Sequence, residues 1–315
     1  MITVANTIET SHEDMLHDAQ LNLFGTQLAT CSSDCTIKIF EILNGTQKYK
    51  ATLLGHAGPV WQISWAHPSF GHILASCSYD KKVIIWMEIE DKWHNVYEHE
   101  QHKSSVNSIS WAPYLSGLKL SCASSDGNIS IMTALNSECD KWNIQIIENA
   151  HQELGCNAVN WSPLIYNRSI YTSDEKEELN KSNPLLLLVS GGCDNIVRIW
   201  KESDGKWEEN CVLESHTDWV RDVAWAPSIG INEQTIATCS QDRKVIIWKN
   251  DNIDTKNWKS RILHTFEGAV WHLSWSITGS ILAVSEGDNK VSIWQEDLNG
   301  YWICISDDQM AESKN

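Results

Sequence analysis

His56, Ser76, Asp80 and Trp86 form a set that could, on paper, supply a base, a nucleophile, an orienting carboxylate and an aromatic wall. Near-copies follow along the chain. An Asp recurs at Asp34, Asp80, Asp126, Asp194, Asp242 and Asp288, and a His precedes most of them at His12, His56, His102, His151 and His216. Trp86, Trp200, Trp248 and Trp294 end four of the copies, Phe40 and Met132 end two, and Phe266 stands in the last His place. An enzyme needs one such set in one cleft. Six copies read instead as a buried hydrogen-bond relay that pins a repeated structural unit.

Other chemistry finds little support. Cys31 and Cys35 have three residues between them, but no second Cys or His pair at finger spacing accompanies them, so no zinc site is expected. His94, His99 and His102 cluster without a carboxylate frame and read as surface and relay histidines. Neither GxxxxGK[ST] nor GxGxxG occurs. The reading is therefore no catalytic residue, no metal and no cofactor. Lys and Arg number 24 against 41 Asp and Glu, a formal charge of −17, which opposes direct binding to nucleic acid or to anionic lipid. The polar, acidic start MITVANTIETSHED lacks the pattern of a secretory signal, and the longest strongly apolar run, Leu185 to Val189, is too short to span a bilayer. The ten Cys then read as free thiols in a reducing compartment, with Cys31, Cys77 and Cys239 as small buried hydrophobes at one place of the repeat.

The elements that carry these residues are short strands. Leu74 to Trp86, LASCSYDKKVIIW, is strand, turn and strand, ending in a β-branched run and an aromatic. Successive Asp residues are 46, 46, 68, 48 and 46 apart. Before each hairpin a period-two strand runs to an anchor: Trp65, Trp111, Trp161, Trp225 or Trp275, with Leu21 in the first copy. After it comes a weaker fourth strand, as at Trp93 to Tyr97 or Trp302 to Ile305. Four strands per repeat of this length predict an all-β propeller of six four-stranded blades, starting near residues 12, 56, 102, 151, 216 and 266 of a single domain, 1–306. The long spacing comes from a polar surface loop, Tyr166 to Pro184, and an acidic flexible tail covers 307–315.

Counting leaves one strand over. The last blade already has its own fourth strand, so Thr3, Val4, Ala5, Asn6, Thr7 and Ile8 have no blade to complete. Two solutions satisfy their backbone groups. Either the ring is open between the first and last blades and accepts strands of another chain there, or the extra strand lies on the outer edge of the last blade.

Segments such as LATCSSD, GPVWQISWAHP, HTDWVRDVAWAPSIG and GDNKVSIW go beyond shared blade grammar. From about Val4 to Asp307 the chain resembles the Sec-thirteen family, the small WD-repeat subunit of the COPII outer coat. It departs from the family at Glu286, where Gly is common, and at Cys35, where a basic residue is usual. The resemblance implies an open six-bladed propeller that receives a seventh blade at Thr3 to Ile8 and the flanks of the blades starting at His12 and Phe266. The implied donors are the large solenoid subunit of the COPII outer coat and a solenoid nucleoporin of the Y-shaped nuclear pore subcomplex. It also implies membership of an amino-acid-signalling complex at the lysosome or vacuole. The expected places are COPII vesicles, the cytosolic face of the endoplasmic reticulum, the nuclear pore, and the lysosomal or vacuolar surface. A different class of reading is a peptide-binding adaptor of a ubiquitin ligase or chromatin complex, which would be a stable closed monomer.

Overall fold

The structure, a computed structural model, describes residues 7–43, 45–165, 185–227, 233–251, 256–287 and 290–306. Thr3 to Asn6, the loop Tyr166 to Pro184, Asp288 and the tail from Asp307 lie outside the described residues. Each blade is an antiparallel meander of four strands in chain order. Blade 1 comprises β1 (Leu16–Leu21), β2 (Gln27–Ser32), β3 (Thr36–Leu43) and β4 (Thr46–Leu54). Blade 2 comprises β5 (Val60–Trp65), β6 (Ile73–Ser78), β7 (Val83–Ile89) and β8 (Lys92–His99). In blade 3 the strands are β9 (Val106–Trp111), β10 (Lys119–Ser124), β11 (Ile129–Ala134) and β12 (Trp142–Ile147). Blade 4 has β13 (Cys156–Trp161), β14 (Leu187–Gly192), β15 (Ile196–Ser203) and β16 (Lys206–Glu214). Blade 5 has β17 (Val220–Trp225), β18 (Gln234–Ser240), β19 (Lys244–Asn250) and β20 (Lys259–Thr265). Blade 6 has β21 (Val270–Trp275), β22 (Ile281–Glu286), β23 (Val291–Glu296) and β24 (Trp302–Cys304).

The middle strands are apolar on both faces because a blade stacks on each side of them: Val83, Ile84, Ile85 and Trp86 are all buried. The outer strands, such as β8, alternate and face solvent on one side. In the five described β2–β3-type hairpins the residue after the Asp has positive φ: Cys35, Lys81, Gly127, Asn195 and Arg243, at 66° to 81°. The Asp carboxylate offsets the cost of that turn by accepting the amide two residues on, as Asp80 Oδ1 does from Lys82 at 2.9 Å.

Every innermost strand carries a register shift near its start, for example between Val60 and Gln62 and between Val270 and His272. Such a bulge re-aims the side chain that follows it. The innermost strands pack successively, β1 on β5, β5 on β9, β9 on β13, β13 on β17 and β17 on β21. Five buried clusters fill the five joints so formed. Among the described residues no such cluster joins blade 6 to blade 1.

Candidate functional site

The relay set assembles within each blade. His12, His56, His102, His151 and His216 place Nδ1 at 2.7, 2.9, 3.1, 2.9 and 3.0 Å from Asp34, Asp80, Asp126, Asp194 and Asp242. Their Nε2 atoms lie 2.8 to 3.0 Å from Thr30, Ser76, Ser130, Ser190 and Thr238. In blades 2, 4 and 5 the indoles of Trp86, Trp200 and Trp248 donate to the same hydroxyl at 2.9, 2.8 and 3.0 Å. An indole only donates and a carboxylate only accepts, so the hydroxyl donates to Nε2 and Nδ1–H donates to Asp. The hydroxyl is thus buried with its proton committed, which suits a structural pin and not a nucleophile. Burial opposes ionisation of Asp80, yet bonds from His56 and from the Ala57 and Lys82 amides hold its carboxyl down at about 2.

Two copies deviate in instructive ways. Blade 3 has Cys122 where blade 2 has Ser76, and Ser130 of the neighbouring strand takes over the contact with His102. In blade 6 Phe266 replaces the His and packs edge-on against Trp294, whose indole turns to Ser292 at 2.9 Å. His99 corrects an expectation. The period of β8 turns it inward, so it is buried, edge-on to His102 at 5.3 Å, and neither ring nitrogen has a described partner. Burial, then His102, pushes its pKa down to about 4.

The joints between blades have their own polar grammar, which the sequence reading missed. The residue after the bulge reaches forward and accepts a backbone N–H of the next blade. Asp18 takes Ile63 at 3.2 Å, Gln62 takes Ile109 at 2.7 Å, Ser108 takes Val159 at 3.4 Å and Asp222 takes Leu273 at 2.8 Å. Ala158 cannot do this, and Asn160 substitutes by accepting from Trp225 at 3.0 Å. The anchor Trp then reaches back. Trp65, Trp111, Trp161 and Trp275 donate their indole N–H to the carbonyls of Gln20, Ser64, Ser110 and Ala224 at 2.8 to 3.1 Å.

At the sixth joint every one of these devices changes. The anchor place in blade 1 is Leu21, which has no indole and is 57% exposed. The forward-reaching place in blade 6 is His272, which turns back to Asp222 at 2.7 Å. The wall of blade 6 carries Val291, 59% exposed, where blade 2 has Val83 at 0%. The facing wall of blade 1 carries Leu16, 46% exposed, where blade 2 has Val60 at 0%. Leu28 and Ile293 are half-buried and Ile305 is exposed. These are strand faces of the kind that meet a neighbouring blade at the other joints, and among the described residues they stand partly exposed. Of the extra strand expected there, Thr7 and Ile8 lie in no strand, and the remainder is outside the described residues.

Such a molecule is a WD-repeat propeller in which, among the described residues, one joint is left unfilled. The family model for the WD domain, G-beta repeat, matches residues 6–41, 47–87, 93–131, 207–249 and 260–295. Four of those segments begin in a fourth strand, β4, β8, β16 or β20, and run through three strands of the next blade. The segment starting at residue 6 lies ahead of β1 in the same phase. Among curated relatives, the human Protein SEC13 homolog is 54% identical over 98% of this chain and 94% of its own length. The Drosophila melanogaster Protein SEC13 homolog is 50% identical over 97% of this chain and 84% of its own. Protein transport protein SEC13 of Mycosarcoma maydis is 43% identical over 95% and 94%. The chain belongs to the SEC13 family. Among the described residues no helix is long and apolar enough to cross a membrane.

Proposed function

We propose that this chain is a non-catalytic scaffold subunit for protein transport, part of the outer cage of the COPII coat that carries cargo from the endoplasmic reticulum to the Golgi. It works by accepting a seventh blade from a solenoid partner. The observation that supports this reading is the sixth joint, where among the described residues Leu16, Val291 and Ile305 stand exposed and Leu28 and Ile293 only half-buried, the places of Leu16, Leu28, Val291 and Ile293 being buried in the filled joints. Burying a fully exposed side chain of this size is worth about 1.5 to 3 kcal/mol, and covering the exposed part of these contributes a fraction of that each toward holding a strand-rich insert. In this reading Thr3 to Ile8 take the fourth-strand place of the donated blade, as the phase of the repeat suggests. A rigid propeller clamped on a bendable solenoid stiffens it, which is what a curved cage needs. The same joint would serve a solenoid nucleoporin of the nuclear pore Y-complex, and the amino-acid-signalling complex at the lysosome or vacuole. The locations follow the partners: cytoplasm, COPII vesicles and the nuclear pore. The acidic surface keeps the propeller off the anionic membrane that a coat encloses.

Co-expression of this chain with the large COPII outer-coat solenoid subunit tests the reading. A stable complex is expected, with the melting temperature of the propeller raised on binding. A complex that survives Val291→Glu undiminished would contradict it.

A further inference from the structure

The bulge that starts each innermost strand leaves one residue out of register: His17, Trp61, Asn107, Asn157, Arg221 and Trp271 in turn. In four blades that side chain is spent on the ring itself. His17 bonds Ser33 at 2.6 Å, Trp61 donates to Ser105 of the next blade at 2.9 Å, and Asn107 and Asn157 donate to the carbonyls of Cys156 and Val220, again in the next blade, at 2.9 and 2.8 Å. Blades 5 and 6 depart from this. Arg221 gives Nε and Nη2 to Gln241 Oε1 of its own blade at 2.9 and 2.5 Å, and among the described residues its Nη1 has no hydrogen-bond or ion-pair partner. The indole N–H of Trp271 also has none among them, and the ring is half exposed.

The Arg221 guanidinium stacks over two indoles, with Cζ 5.1 Å from the Trp219 ring and 4.5 Å from the Trp271 ring. Both rings are exposed, at 46% and 50%. The repeat does not require the first of them. Its place, defined by the carbonyl that accepts the amide of the residue before each turn Asp, is held by Met15, Pro59, Ser105, Gly155 and Ala269 in the other blades. Two large rings left in water beside a spare guanidinium end mark a contact surface.

Every spare polar atom of this cluster is an N–H donor, so a ligand must bring acceptors. The neighbouring carboxylate, Asp218, bonds the Trp219 amide at 2.8 Å, and among the described residues no acidic group lies within ion-pair reach of Arg221. A carboxylate suits a guanidinium in charge and in planarity, and the indole faces suit apolar side chains. Long-range charge narrows the choice, because a chain at −17 repels an acidic run and tolerates a single carboxylate set between apolar neighbours. We infer that Trp219, Arg221 and Trp271 form a docking surface for a short segment of another protein, which places one Asp or Glu side chain on Nη1 of Arg221 and apolar side chains on the two indoles. This surface goes beyond the seventh-blade reading and does not depend on it.

The test immobilises the full chain and selects from a phage library of random heptapeptides fused at their C-termini, so that only side chains offer a carboxylate. The enriched sequence is then made as a blocked peptide and its affinity measured by calorimetry. Enriched peptides should carry one Asp or Glu between apolar residues, and changing it to Asn or Gln should weaken binding at least about ten-fold. Arg221→Gln and Trp219→Ala, each first shown by a thermal melt to fold, should weaken binding by a similar factor; Trp219 is exposed, so its variant carries the test if Arg221→Gln does not fold. Tyr79→Ala, which removes an exposed ring at the same end of blade 2, and Val291→Glu, at the sixth joint, should leave the affinity within about two-fold. No enrichment, enrichment without an acidic residue, or wild-type affinity in the Trp219 and Arg221 variants that fold overturns the inference. An equal loss in Tyr79→Ala overturns the location. Enrichment seen only in a chain lacking residues 307–315 assigns the surface to the chain's own acidic end and overturns the choice of a partner.

Discussion

The joint between blades 1 and 2 and the joint between blades 6 and 1 are built from the same strand faces in the same register, and among the described residues only the first is filled. In the first, Cys31, Ile37 and Ile39 of one blade meet Val60, Leu74 and Ile84 of the next with all six buried, and Trp65 and Asp18 tie the backbones together. In the second, Val291 of blade 6 and Leu16 of blade 1, at the matching places, are exposed, and Ile293 and Leu28 are half-buried. The difference teaches where a repeat protein stores its binding information. The repeats themselves are consumed in holding the ring. On the seventh-blade proposal, what is left for a partner is the joint where, among the described residues, the repeat breaks off.

The largest contrast should come from charge. Val83→Glu buries an unpaired carboxylate at a filled joint and should cost about 4 kcal/mol or more in chemical denaturation, whereas Val291→Glu at the matching open place should change free-chain stability by no more than about 0.5 kcal/mol. Truncation repeats the contrast on a smaller scale. Leu74→Ala should cost about 2 to 5 kcal/mol, and Leu28→Ala, its half-exposed counterpart in blade 1, clearly less. Equal losses in either pair would mean that the sixth joint is closed. Smaller still, Trp65→Phe removes one indole bond to Gln20 and should cost about 1 kcal/mol.

Two pH responses separate the blades from the open joint. The relay carboxylates Asp80, Asp194 and Asp242 are held at about 2, below their unfolded range near 4, so their contribution is complete above about pH 4 and is lost as pH falls toward 2. His272 has the opposite sign. Its raised pKa of about 9 gives a contribution that is full below about pH 6.5 and is lost as pH rises through 9. Melts of His272→Gln should therefore fall below wild type near pH 6 and converge with it above about pH 9.

Much of the fold was legible because it is local. The spacing of Asp34, Asp80, Asp126, Asp194 and Asp242 gave the repeat, and the fixed distance from each His to its anchor gave the innermost strands. Relay pairing followed, since a His and an Asp repeating in step must meet. The joint ties were not legible. Asp18, Gln62 and Asp222 share a place in the repeat with Ala158, so no single residue type marks it, and only the bulge reveals which neighbour each side chain reaches. An indole bond between blades cannot be told from a buried Trp by pattern alone. One trace was present: Leu21 in the anchor place was the sign that blade 1 has nothing behind it to tie to. The burial of His99 was not legible from its cluster with His94 and His102; it follows from the alternation of β8, which turns its last residue inward.

The most direct measurement of the open joint needs no partner to begin. Val291→Cys and Val83→Cys are treated, in the folded chain, with a thiol-specific reagent, and the labelled sites are located by mass spectrometry, first alone and then with the outer-coat solenoid subunit present. The expected result is fast labelling at 291, none at 83, and protection of 291 once the partner is bound. A Cys at 291 as inert as one at 83 in the free chain would mean that the ring closes on itself, and the account of an acceptor joint would fall.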